Sequence, residues 1–137
     1  MANEAVIIEL INGGESIRFT CADGTAISKG ALLHLKDPRT VIASSKIGEQ
    51  FAGIAAADKQ ANDGATTIAC HTKGIFDLYY GGGSSVSAGD YVVISGANSV
   101  VLAETSSALS GGMIVGKALE DATAGTAETI AVLVGAR

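Results

Sequence analysis

The residues best placed to do chemistry lie late in the chain. Gly111 to Glu120 read GGMIVGKALE, in which a glycine, four residues and then Gly116-Lys117 match a phosphate-binding loop as far as the lysine. Ala118 follows, where such a loop needs Ser or Thr to hold Mg²⁺. The motif also requires a buried strand before it and a helix after it, so that free amides can cradle oxygens. Here ETSSALS precedes it, Gly125 interrupts soon after, and Met113-Ile114-Val115 read as a strand. No nucleotide site is expected.

The other reactive side chains are equally isolated. His34, in LLHLKD, and His71, in IACHTK, fall at polar positions of strand-like runs, with no carboxylate or second histidine at ligand spacing. The serines form no Gly-x-Ser-x-Gly elbow, and GGGSSVS reads as a loop. Cys21 and Cys70 lack CxxC or zinc-type spacing and are expected as two buried free thiols. Lys59 follows Asp58 in AADKQAND, as the hairpin lysine of a biotinyl or lipoyl carrier would, but the second half of the chain offers nothing comparable. In LKDPRT, Pro38 and Asp37 make a turn, with Arg39 as an exposed turn charge. These residues predict no enzyme, no metal and no cofactor.

The elements that carry them repeat. GIAAADKQANDGATTIAC (53–70) lies over GKALEDATAGTAETIAVL (116–133), and AISKGALLHL (26–35) over SVSAGDYVVI (85–94), at offsets of 59 to 63 residues. The blocks keep their order, so the chain reads as two copies of one unit, about 15–78 and 79–137, within a single β domain spanning 15–137. Gly116 is then the counterpart of Gly53, which no lysine follows. Short alternating or β-branched runs (SIRFT, ALLHL, TTIACHT, GIFDLYY, DYVVIS, SVVLA, ETIAVLVGA) sit between Gly, Asp, Asn and Ser turns. The expected fold is mainly β, a small barrel or sandwich of two similar units with at most short helices. Ile47, Phe51 and Ile54 have helical spacing, which leaves room for a short helix before Gly53.

Composition sets further bounds. The 137 residues suffice for one core, built from small aliphatics because Trp is missing and aromatics make up only 4%. Eighteen glycines against one proline imply many tight turns. A net charge of −5, scattered along the chain, provides no basic stripe for nucleic acid. The opening apolar run, Ala5 to Ile8, is too short for a signal-peptide core or a membrane span, so synthesis in the cytoplasm and no membrane partner are expected.

Taken together, GTAISKGALLHLKDPRTV, FAGIAAADKQANDGATTIACHTKGIFDL, VSAGDYVVIS and IVGKALEDATAGTAETIAVLV resemble the capsid decoration, or cement, proteins of tailed bacteriophages, from about Gly14 to Val134. The resemblance implies a small β-rich protein on the outer surface of the assembled head. Its partner would be the major capsid protein, it would act as a homo-oligomer, often a trimer, and it would be made in the host cytoplasm. It carries over no catalytic residue. The alternative expectation is a small β-barrel binding module for a carbohydrate or protein surface, without catalytic activity. There Tyr79 or Tyr80 of YYGGGSS would stack on a sugar, only one of them because neighbours in a strand face opposite ways.

Residues 1–14 stand outside the repeat. They pair an apolar run with a Gly13-Gly14 joint, and an extended segment of this length reaches about 40 Å. Two expectations follow: an arm in which Ala2, Asn3, Glu4, Ala5, Val6, Ile7, Ile8, Glu9, Leu10 and Ile11 bind the capsid by adding a strand, or simply the first strand of the barrel.

Overall fold

The computed structural model describes residues 3–10, 16–81, 84–103, 111–123 and 128–135, and these contain eleven β-strands and no helix. The strands are β1 (Val6–Glu9), β2 (Ile17–Thr20), β3 (Leu32–Asp37), β4 (Thr40–Ala43), β5 (Phe51–Ala55), β6 (Thr67–His71), β7 (Gly74–Tyr80), β8 (Tyr91–Gly96), β9 (Ser99–Leu102), β10 (Ile114–Ala118) and β11 (Glu128–Val134). The Gly13-Gly14 joint and Gly125 lie outside the described residues.

Ten of these strands form two closed five-stranded barrels of identical topology. The first runs β2-β4-β3-β5-β6 and returns to β2; the second runs β7-β9-β8-β10-β11 and returns to β7. In each, the first and third strands pair in parallel, Thr20 opposite Thr40 and Tyr79 opposite Ser99, and every other pairing is antiparallel. Isolated bridges also correspond, Ile27 with Lys59 and Val86 with Ala122. Closure gives every barrel strand a neighbour on each side, which suits short strands that could not stand alone.

The alternation in the sequence becomes the inside and outside of these barrels. In β7 the residues Gly74, Phe76, Leu78 and Tyr80 are buried and the ones between are half-buried; β11 repeats this at Ile130, Val132 and Val134. Leu32 and Ile54 of the first barrel belong to the same buried cluster as the interior of the second, so the two barrels share apolar packing. Cys21, Ile27, Leu33, Val41, Ala55, Ile68 and Cys70 fill the first barrel. Both thiols are buried and free, and burial, with Cys21 nearby, pushes the Cys70 thiol up to about 12.

Polar contacts fasten the barrels at the β8–β9 turn. Asn98 is buried, its side-chain Oδ1 accepts from Leu32 N at 3.0 Å, and its own N donates to Ser44 Oγ at 3.1 Å. Ser44 Oγ in turn donates to the Gly96 carbonyl at 3.0 Å.

The helical spacing of Ile47, Phe51 and Ile54 does not produce a helix. Phe51–Ala55 is a strand paired with β3 and β6, and Ile47 is 65% exposed. A Cβ at Gly53 would sit 2.9 Å from the His71 carbonyl oxygen, so strand pairing at this position depends on the missing side chain.

Candidate functional site

The barrels bury Cys21, Cys70, Lys59 and His71 and leave His34 and Lys117 half-buried. Gly116 lies within β10, paired with β8 and β11, so the stretch resembling a phosphate loop spends its backbone on a sheet. Lys117 projects over the Tyr91 ring, its Nζ 5.7 Å from the centroid. Lys59 is 4% exposed, and its Nζ donates to the carbonyls of Asp23 (2.7 Å) and Gln60 (3.0 Å) and to Asp63 Oδ1 (3.1 Å). An ammonium held by three acceptors inside a fold is not a carrier lysine on a hairpin tip. Ala122 takes its place in the second barrel.

His34 and His71 are not brought together. His34 Nε2 lies 3.0 Å from Glu49 Oε2, a partner that neither spacing nor periodicity suggested. Glu49 is itself buried and accepts from Ser45 N (2.8 Å), Ser45 Oγ (3.1 Å) and Lys46 N (3.2 Å). Burial pushes the Glu49 carboxyl up, but these hydrogen bonds and the neighbouring imidazole outweigh it and hold the group below its ordinary 4.5. The folded state thus binds the Glu49 proton more weakly than the unfolded chain does. The stabilisation is complete above about pH 4.5 and fades as the pH falls through the lowered value. Glu49→Gln is therefore expected to lower the thermal midpoint at pH 7, with the gap from the parent narrowing at pH 3. A gap that stays constant would remove Glu49 from the acid response.

His71 is buried with Nδ1 unpartnered, its ring 5.8 Å from that of Phe76; burial, then the charge of Lys29, lowers its pKa. Tyr80 is fully buried and its hydroxyl donates to the Ser84 carbonyl, so it offers no face to a sugar; Tyr79 is half-buried. Arg39 is an exposed turn residue whose Nη2 donates to the Arg18 carbonyl at 3.2 Å. Among the described residues, no three His, Cys, Asp or Glu side chains are grouped to hold a metal.

What does stand out on the surface is the N-terminal segment. β1 pairs antiparallel with β7, Val6 opposite Asp77, Ile7 opposite Phe76 and Glu9 opposite Ile75, with a bulge between Ile7 and Glu9. Ala5 N donates to the Gly30 carbonyl at 2.8 Å, and Ala5 and Leu10 pack against the core. Gly30, at φ +89°, makes this crossing feasible, because a Cβ there would lie 2.6 Å from the Ala5 oxygen. Its counterpart Gly89 has φ +100° and nothing within 4 Å, so the turn is common to both barrels but the N-terminal segment covers it only at Gly30, while β1 itself pairs with β7 of the second barrel. Asn3 is exposed, with φ +65°, and Glu4 is half-buried. Ala2 and Ile11 lie outside the described residues.

The strand is anchored at both ends yet presents apolar side chains outward. Val6 is 61% exposed, Ile7 40% and Ile8 48%, three consecutive branched residues on a strand that ends its sheet order and, among the described residues, pairs on one side only. An apolar strand edge of this kind is a template for adding another chain.

The family described as phage cement protein matches residues 11–134. The chain belongs to that family. A search of curated proteins produced no match. Phage cement proteins are structural and capsid-associated, which places this chain with the virion capsid. The match begins at Ile11, so β1, the most exposed apolar element, lies just outside the matched span.

Proposed function

We propose that this cement protein binds the outer surface of an assembled phage head and stabilises the shell against the pressure of packaged DNA. Residues 15–137 act as one rigid unit and β1 is the grip. The family match carries the reading, and the exposed Val6-Ile7-Ile8 edge supports the choice of contact. A protein that binds the expanded lattice but not its separated subunits stabilises the lattice by mass action, and symmetry repeats each weak contact many times. Its partner is the major capsid protein. Three copies assemble at local three-fold positions, the arrangement implied by the resemblance of the repeat blocks to decoration proteins.

The test is sedimentation of purified protein with undecorated, expanded heads. Co-pelleting at a fixed ratio to the major capsid protein is expected, together with heads that resist disruption at higher temperature; protein that stays in the supernatant rejects the reading. Val6→Lys combined with Ile8→Lys probes the grip. Both side chains are exposed, so stability should shift by no more than roughly 0.5 kcal/mol, while affinity for heads drops by about tenfold or more. Normal decoration by this variant would move the contact away from β1.

A further inference from the structure

The two barrels can be compared position by position. Thr20 pairs with Thr40 as Tyr79 pairs with Ser99, so Cys21 corresponds to Tyr80 and Val41 to Val100. The matching bridges align Ile27 with Val86, and hence Thr25 with Ser84. All the apolar members of these pairs are buried. In the second barrel the Tyr80 ring fills this end of the interior, and its hydroxyl is held by the Ser84 carbonyl. In the first barrel Cys21 supplies one sulfur where the other has a phenol. A pocket of about 270 Å³, open to solvent, lies at that place, with the buried Cys21, Ile27 and Val41 at its floor and the half-buried Thr25 and exposed Lys36 and Asp37 at its rim.

We propose that this cavity is a socket for an aromatic side chain, a tyrosine or phenylalanine presented by a surface loop of the shell protein. Its volume leaves room for one six-membered ring, which an enclosed apolar cavity of roughly 150 Å³ already admits, with one side of the pocket open to solvent. The ring chemistry follows from the fold's own second copy, which closes the same space with Tyr80. Thr25, the counterpart of the residue that receives the Tyr80 hydroxyl, lines the empty site and suits a phenol. An aromatic anchor in a desolvated pocket, ringed by polar residues, concentrates binding energy in one contact. The identity of the partner rests on the function proposed above; the socket itself does not.

Two measurements separate these. Titrating the protein with p-cresol, a mimic of the tyrosine side chain, should give saturable methyl chemical-shift changes at Ile27, Val41 and Ile42; a linear, non-saturating response overturns the socket. Cys21→Tyr, which copies the second barrel, should abolish those shifts and weaken head binding at least about tenfold. Thr25→Trp, in the loop bordering the cavity, makes the same comparison should Cys21→Tyr not fold. Parent and filled variants that coat heads equally well overturn the aromatic anchor. A parent that binds p-cresol but never binds heads overturns the shell protein as the source of the ring, and with it the capsid reading, while leaving the socket standing.

Discussion

Gly116→Ala is expected to destabilise the protein by about 3 kcal/mol or more, lowering the thermal midpoint by roughly 10 °C for a chain of this size. A Cβ at Gly116 would lie 2.2 Å from the Leu133 carbonyl oxygen and 2.9 Å from both Leu133 C and Val134 Cα. All three are main-chain atoms of β11, paired with β10 through Gly116–Val134 and Lys117–Leu133. No rotamer change relieves such a contact. The two strands have to separate, and separation breaks the closure of the second barrel. Gly53→Ala, at the matching place in the first barrel, meets the His71 oxygen at 2.9 Å and should cost less. Gly112→Ala supplies a control, since its φ is +73° and the nearest atom is Gln50 Cγ at 3.9 Å. Only the backbone penalty of about 1 kcal/mol applies there. Urea or thermal unfolding of the three variants gives the ranking; a Gly116→Ala protein within 1 kcal/mol of its parent would contradict the packing of β10 on β11.

Asn98→Ala should have the second largest effect, a loss of about 2–4 kcal/mol. Removing Oδ1 leaves the buried Leu32 N without its acceptor, worth roughly 1–3 kcal/mol. Alanine must also adopt the left-handed φ of +55° that asparagine tolerates, at about 1–2 kcal/mol. Asn98→Gly separates the two contributions, because it relieves the backbone and still lacks the acceptor. Arg39 occupies the same turn position in the first barrel at φ +51°, but it is exposed and donates only to the Arg18 carbonyl. Arg39→Ala should therefore change stability by no more than about 1 kcal/mol. Equal effects at the two turns would mean that the Asn98 contact between barrels contributes nothing. Calorimetry of Asn98→Ala carries a second reading, since a weakened junction should spread one transition into two as the barrels lose their coupling.

The duplication was legible because both copies keep the residues that barrel closure demands. Glycine stands where one strand crowds the next, at Gly53 and Gly116, and where the chain turns with positive φ, at Gly30 and Gly89. Such positions tolerate little else, so their spacing survives even where the intervening side chains have diverged. The same logic exposes the phosphate-loop likeness: Gly116 answers to strand packing, and the lysine beside it lies over Tyr91. The helical spacing around Phe51 misleads for a related reason, since periodicity records which side chains are apolar and not which backbone must be approached closely.

Family and fold class could be read from the chain alone, since alternation, turn residues and repeat order are local properties that survive without coordinates. Three things required the tertiary structure. Lys59 and Glu49 each gain one distant partner when the barrel closes, Asp23 and His34, and no spacing rule connects Lys59 with Asp23 or His34 with Glu49. The N-terminal segment becomes an exposed edge because β9 pairs with β7 only at Tyr79 and Tyr80, which leaves Ile75 to Asp77 on that side for β1. The difference between Cys21 and Tyr80 acquires a meaning only when both stand at equivalent points of two closed barrels, because no local property of either stretch says that a pocket opens beside one of them.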